Sequence, residues 1–409
     1  MLGYIILGVT LVLIYKLFQS PHPEPYLGVY QRPGVLFFVK KCAFFVLYKL
    51  RQRQNERQKS VSGQDAGYGK RSRSSVDQMD RVQPLDPAFP KSVDAVYFNA
   101  ANEQGFYFVA ATARRQEGLV QTLLYIRVPN VGLFELATLP NTSLQTSKPE
   151  CYSAGGLTIE PVTPMKEWRL TFDGTMRLIK PDGEKVEDIK ANFDLQWTAD
   201  SRLFDFDTDM DVTALCEAMA TEPWSREFFN NLKDAHQTHY EQFGTITGIV
   251  SFENYPEQEL HVRGVRDHSY GNFRDWKDLH RYAIQYFTLR DGTAFCVGNI
   301  CFPKTMSRLI IGYVMHPDGQ MDTVSSTNLE LWKAGEDGVD PDEMEFSFSA
   351  GGIPYHLKME VLDRPIFLMG EDARIHERMC KFNVNGIEGW GISEWDYRIY
   401  KTFPEKKEL

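Results

Sequence analysis

The run Gly264-Val-Arg-Asp-His-Ser-Tyr-Gly-Asn-Phe-Arg-Asp-Trp276 packs Arg266, Asp267, His268, Tyr270, Arg274, Asp275 and Trp276 into one short stretch between and beyond two glycines. These are groups that bind the polar part of a ligand or move a proton, and they are a poor filling for an apolar core, because each buried charge needs a partner. On a strand, alternate side chains take opposite faces, so Arg266, His268 and Tyr270 are expected on one face and Asp267 and Ser269 on the other. Ser269 beside His268 is not a hydrolase triad for that reason, and no Gly-x-Ser-x-Gly elbow accompanies it. The run reads either as a ligand-facing site or as a structural Arg–Asp network bracing the end of a barrel. His239, Glu241, Glu394 and Arg398 are further polar groups placed near strand ends. They read either as site residues or, for His239 and Glu241, as a strand clasp and, for Glu394 with Arg266, Arg274 or Arg398, as a buried ion pair.

The elements that must carry these groups are mostly strands. From Asp94 onward, short β-type runs alternate with turn signals such as Asp173-Gly174 and Pro181-Asp-Gly183, the pattern of a barrel or sandwich. Thr213 to about Tyr240 breaks this rhythm with helix-spaced Leu215, Met219, Phe228, Phe229 and Leu232, interrupted by Pro223. We therefore expect a mainly β chain, two tandem antiparallel β-barrels joined by short helices. The first barrel with its connecting helices is expected over 83–240 and the second over 241–409, opening with Gly244–Phe252 and His261–Gly264.

The central run resembles the Asp-His-Ser/Gln-Trp-Gly signature of the AttH/carotenoid 1,2-hydratase-like, lipocalin-related proteins, with Tyr270 where that family usually carries Trp. His239-Tyr-Glu-Gln242, Glu167-Trp-Arg-Leu-Thr-Phe-Asp-Gly174 and Gly389-Trp-Gly-Ile-Ser-Glu394 extend the resemblance over roughly residues 90–400. It implies two lipocalin-like barrels. It also implies, for hydratase members, protonation of an isolated carbon–carbon double bond followed by addition of water. Asp267 falls at the signature acid position, so the resemblance makes it the general acid, with His268 and Tyr270 in support. Arg266, Arg274, Trp276, His239, Glu241 and Glu394 then become ligand-binding candidates. A second likeness is to the amino-terminal half of animal phosphoenolpyruvate-synthase-like proteins, but no Walker-type Gly-Lys-Ser/Thr loop is present and no phosphotransfer is inferred.

Charge is unevenly distributed. Residues 1–82 carry a balance of +8, leaving −18 for the rest of a chain whose total is −10. An acidic body argues against a nucleic-acid partner, and a basic amino-terminal region suits an anionic membrane surface. Leu2–Phe18 is nearly unbroken apolar, with Lys16 placed to snorkel, and the expectation is a membrane-anchoring helix over 1–20. A cleaved signal peptide would need a basic leader and a small-residue cleavage site, and neither is seen. Residues 21–82 are expected to hold an interfacial helix, over Gly34–Leu50 with Lys40 and Lys41 in its middle, followed by a basic disordered linker.

Topology is left open. Positive charge after the first span favours a cytosolic body. Lys406–Leu409 resembles a luminal retrieval tetrapeptide, and Asn141-Thr-Ser143 fits a glycosylation acceptor. Either way the endoplasmic reticulum membrane is the expected location. The six cysteines form no Cys-x-x-Cys pair, and His316, His356 and His376 are scattered, so neither metal nor cofactor is implied. The functional expectations are a membrane-anchored protein that binds a lipid or isoprenoid, an enzyme of hydratase, isomerase or cyclase type acting on a lipophilic alkene, or a non-catalytic interaction module.

Overall fold

The computed structural model describes residues 20–57 and 75–400. The Leu2–Phe18 segment and Lys406–Leu409 lie outside the described residues. Among the described residues no helix is long and apolar enough to cross a membrane.

The chain is mainly β, as the turn rhythm predicts. Its first sheet comprises β1 Val93–Ala101, β2 Tyr107–Arg114, β3 Leu119–Val128, β4 Gly132–Leu136, β5 Ser143–Gln145, β6 Tyr152–Ala154, β7 Leu157–Thr163, β8 Glu167–Ile179, β9 Lys185–Ala199, β10 Phe204–Asp205, β11 Thr238–Phe252 and β12 Gln258–Gly271. Eight of these close a ring by antiparallel pairing in the order β1-β2-β3-β4-β8-β9-β11-β12 and back to β1. The second sheet comprises β13 Arg281–Leu289, β14 Ala294–Phe302, β15 Met306–Met315, β16 Met321–Thr327, β17 Glu343–Ala350, β18 Ile353–Asp363, β19 Ile366–Met369, β20 Ala373–Val384 and β21 Ile387–Arg398. Here β13 to β18, β20 and β21 close a second eight-stranded antiparallel ring through the β18–β20 and β21–β13 pairings.

Two helices, Val212–Thr221 and Arg226–Asp234, fall in the expected interruption. Asp211 caps the first through Thr213 N and Ala214 N, and Ser225 caps the second through Phe228 N. They do not mark the change of barrel, however. The strands expected to open the second barrel, β11 and β12, instead close the first one, pairing β9 on one side and β1 on the other. The change of sheet falls between Gly271 and Arg281. A strand pair can rejoin an earlier sheet after any intervening element, and nothing in its local alternation records that.

Both interiors are packed. In the first, Phe98 meets Trp168 and Trp197 edge-on at 5.8 and 5.9 Å, and all three are buried. In the second, Phe287 stacks between Phe295 at 4.7 Å and Phe382 at 4.2 Å. Among the described residues, aromatic side chains occupy both interiors, where a lipocalin-type ligand would have to sit. A cavity of about 380 Å³ lined by Lys180, Pro181, Asp182 and Tyr255 sits at the β8–β9 and β11–β12 hairpin ends, far along β12 from Asp267.

The amino-terminal portion also departs from expectation. A helix runs from Phe37 to Arg57, beyond the Leu50 limit expected. It lies on the protein body along one face: Phe44 and Tyr48 are buried, and Lys41 pairs with Glu217 of the Val212–Thr221 helix at 2.6 Å. Residues 76–82, expected to finish a disordered linker, begin with a helical turn over Val76–Met79. That turn delivers Asp80 into the first barrel.

Candidate functional site between the barrels

Strand alternation divides the central run as expected, and the division decides which residues can meet. Arg266 and His268 point into the first barrel and are fully buried there. Arg266 donates to Asp80 at 2.5 Å and lies against the rings of Trp168, Trp197 and Tyr240. His268 joins Asp94 at 2.7 Å, Tyr152 at 3.0 Å and Tyr240 at 2.8 Å, and the Tyr270 ring is 5.1 Å from its own. These groups brace a filled barrel, so the structural reading holds for this half of the run. His268 and Tyr270 do not support Asp267, because they occupy the other side of the wall.

Asp267 faces the second barrel. The outward sides of β1, β11 and β12 pack against the outward sides of β13, β20 and β21, and this junction carries a layer of acids and phenols. Register creates the acidic pairs. Asp267 stands directly opposite Glu241 on the β11–β12 ladder, and Glu394 stands directly opposite Glu377 on the β20–β21 ladder. Side chains directly opposite on neighbouring strands are in contact range, and like charges there repel. Each pair therefore favours holding a proton, as two carboxylates sharing a site do.

The phenols supply donors. Tyr97 gives its hydroxyl hydrogen to Glu377 Oε2 at 3.0 Å, Tyr286 to Glu241 Oε1 at 3.3 Å, and Tyr282 to Glu394 Oε1. His239 Nε2 lies 3.3 Å from Glu241 Oε1. Arg274, held by Gln237 Oε1 at 2.8 Å, adds a positive charge felt by Asp267. Glu394, for which the sequence left open a site role or an ion pair with arginine, accepts from Tyr282.

Burial sets the protonation. It lifts Asp267 to about 6, with His239 opposing the rise and Glu241 adding to it. It lifts Glu394 to about 7, against the hydrogen bond from Tyr282 and with the charge of Asp267. Burial likewise raises Glu377, with Glu394 adding, and Asp396, again with Glu394 adding. For His239 burial works against the charged ring, but the Glu241 bond and the Asp267 charge outweigh it and the net shift is upward. Burial pushes Tyr97, Tyr282 and Tyr286 well above the usual phenol range, so they remain donors.

The layer is not sealed. Glu241, Glu377 and Asp396 are fully buried, whereas Asp267, Glu394, Tyr97, His239, Arg274 and Trp276 keep part of their surface accessible. Trp276 packs against both the first barrel's core and the apolar core between the barrels. Among the described residues, both oxygens of Asp396 and Oε1 of Glu377 have no hydrogen-bond partner. Among them, too, no three His, Cys, Asp or Glu side chains converge in a way that would hold a metal ion.

Six sequence-predicted residues thus come together: Asp267, His239, Glu241, Arg274, Trp276 and Glu394. Arg266, His268 and Tyr270 do not join them. Sequence reasoning missed Tyr97, Tyr282, Tyr286, Glu377 and Asp396. Glu377 and Asp396 each lie in a strand-like run, and an acid at a wall position of a predicted barrel was the available signal.

The chain belongs to a family of unknown function, DUF8627, whose model matches residues 5–397. A search of curated proteins finds no match. Among solved structures, CghA determined with Sch210972 is similar at 10% identity, covering 76% of this chain and 90% of that one with a TM-score of 0.46. An AttH protein of Nitrosomonas europaea (NE1406) is 12% identical over 76% of this chain and 93% of its own, with a TM-score of 0.45. Kievitone hydratase from Nectria haematococca is 12% identical over 82% of this chain and 98% of its own, at 0.40. Likenesses this distant carry no argument about chemistry. The resemblance to phosphoenolpyruvate-synthase-like proteins finds no support among them.

Proposed function

We propose that the junction between the barrels is an acid–base active site, and that the protein is an enzyme of hydratase, isomerase or cyclase type acting on a lipophilic alkene. One observation carries this reading. Asp267 and Glu394, both partly accessible, face the same junction with carboxyl groups raised to about 6 and about 7 by burial and by neighbouring acids, Glu241 for Asp267 and Asp267 with Glu241 for Glu394. A carboxylic acid poised near neutrality is what general-acid catalysis needs. In the proposed step the Asp267 carboxyl gives its proton to one alkene carbon, leaving a carbocation at the other. The rings of Tyr97, Tyr286 and Trp276 are suited to face that cation. In hydration, water adds to the cation and its proton returns to the Asp267 carboxylate; in isomerisation, a neighbouring C–H proton returns instead. His268 has no part, being on the other face of β12.

The filled barrel interiors weigh against ligand storage inside a barrel, the alternative suggested by a lipocalin-like fold. The test is incubation of the purified protein in heavy water with a panel of isoprenoids and unsaturated lipids, followed by mass spectrometry. Turnover predicts deuterium on carbon, abolished by Asp267→Asn. Retention of a panel member without deuterium uptake would replace catalysis by binding alone, and no capture of any kind would leave the junction a structural contact.

A further inference from the structure

The helix Phe37–Arg57 presents two unlike faces. The inward face is fixed: Phe44 and Tyr48 are buried, Lys40 donates to the backbone oxygen of Glu222 at 2.5 Å, and Lys41 pairs with Glu217. The outward face carries Phe38, Val39, Phe45, Val46 and Leu50, recurring at seven and four residues so that they fall on one side of the helix. They are far from covered, with Phe38 75%, Val39 60%, Val46 56% and Leu50 50% exposed. Scattered exposed apolar residues need no explanation, but a contiguous stripe does.

We infer that this stripe is a docking surface for a lipid bilayer with anionic headgroups, the helix lying in the plane of the leaflet. The way the chain arrives supports that occupant. The apolar stretch Leu2–Phe18 hands over to Ser20 and Pro21, and the His22 ring lies against Gly34 at the start of the helix: a Cβ on Gly34 would be 3.2 Å from it. In sequence, an apolar stretch thus shortly precedes the residues that sit at the start of the helix. Charge agrees as well. Lys49, extended over the Phe45 ring at 5.8 Å, and Arg53 are exposed on the same side of the helix, while Arg51 is half-buried on the side of Tyr48. Basic residues beside an apolar helix face suit an anionic leaflet. Lys40 and Lys41, which would have been costly in the lipid, are turned away to Glu222 and Glu217. This inference is independent of the chemistry proposed for the junction between the barrels.

Cys42 is exposed in the middle of the stripe, while Cys216, Cys296, Cys301 and Cys380 are buried and Cys151 is half-buried. In the full chain carrying Cys151→Ser, an environment-sensitive fluorophore on Cys42 reports the face directly. With vesicles of phosphatidylcholine and phosphatidylserine its emission should shift to the blue. It should also become quenchable by nitroxide-labelled acyl chains and lose sensitivity to aqueous iodide. In the Phe38→Glu/Val46→Glu variant, the chain should still sediment with vesicles through Leu2–Phe18 while the probe regains iodide sensitivity. A probe already blue-shifted without vesicles would overturn the inference: concentration dependence would assign the face to a second copy, its absence to the chain's own amino-terminal segment. A bound chain whose probe stays open to iodide, or a chain that does not bind vesicles, would overturn it equally.

Discussion

Asp267 and His268 are neighbours on β12 that look into different compartments: the carboxyl faces the second barrel across from Glu241, and the imidazole meets Asp94 inside the first barrel at 2.7 Å. A motif that reads as one cluster in sequence is two devices in space. One braces a barrel and the other contributes to an acidic layer between barrels.

The acidic layer should contain protonated carboxyl groups near neutral pH. Infrared difference spectra between about pH 5 and about pH 8 should show the band of a buried protonated carboxyl losing intensity as pH rises through the values of Asp267 and Glu394. Glu394→Gln should remove part of that change, whereas His268→Gln should leave the band while lowering stability. A spectrum without the band would remove the basis for an acid at this site.

Glu222 offers a pH test away from that acidic layer. Burial pushes its carboxyl to about 7, against hydrogen bonds from Ser307 N at 2.8 Å and Ser307 Oγ at 2.7 Å. Between its ordinary value and about 7 the folded chain holds a proton that the unfolded chain releases. Stability from this group is thus full at low pH and lost as pH rises through that window, by on the order of 3 kcal/mol in all. Denaturant titrations should show Glu222→Gln flattening this slope, since the amide keeps an acceptor for Ser307.

Asp80 and Arg266 form a wholly buried pair, and Asp80 also accepts from Met165 N at 2.6 Å, Trp168 Nε1 at 3.1 Å and Tyr240 Oη at 2.8 Å. Asp80→Asn leaves the guanidinium uncompensated and should cost roughly 3–5 kcal/mol. Adding Arg266→Met should recover much of the loss, a non-additivity that a double-mutant cycle would measure.

Gly264 is tolerated on β12 only without a side chain. A Cβ there would lie 1.9 Å from Asn99 O and 2.5 Å from the Ala100 Cα on β1. Because both obstacles are backbone, Gly264→Ala must separate the two strands and should cost about 3 kcal/mol or more. Thermal unfolding would show it, with the loss concentrated in the first barrel by hydrogen exchange.

Much of the fold was legible in sequence because barrel strands announce themselves locally, through alternation and turn residues such as those before Gly183. The two linker helices were legible in the same way. Which strands closed which ring was not: Gly244–Phe252 looks the same whether it pairs with β9 or with a later strand. The site divided along the same line. Alternation predicted that Asp267 would part from Arg266 and His268. The pairing of Glu241 with Asp267, and of Glu377 with Glu394, depends on register across ladders, and the meeting of the two pairs depends on how closed barrels dock. Tyr97, 170 positions before Asp267 yet opposite it on β1, could not be linked to it by spacing.

The late closure of the first ring has a consequence for synthesis. Until β11 and β12 emerge, β1 and β9 are bare strand edges, open to pairing with any extended chain nearby. The nascent protein must carry those edges through the making of both linker helices, and β13 follows only ten residues after Gly271. Completion of the first barrel and the start of the second therefore nearly coincide on the ribosome. A fragment released at residue 240 would be an unclosed sheet, a target for chaperones or aggregation, and not a half-protein able to fold alone.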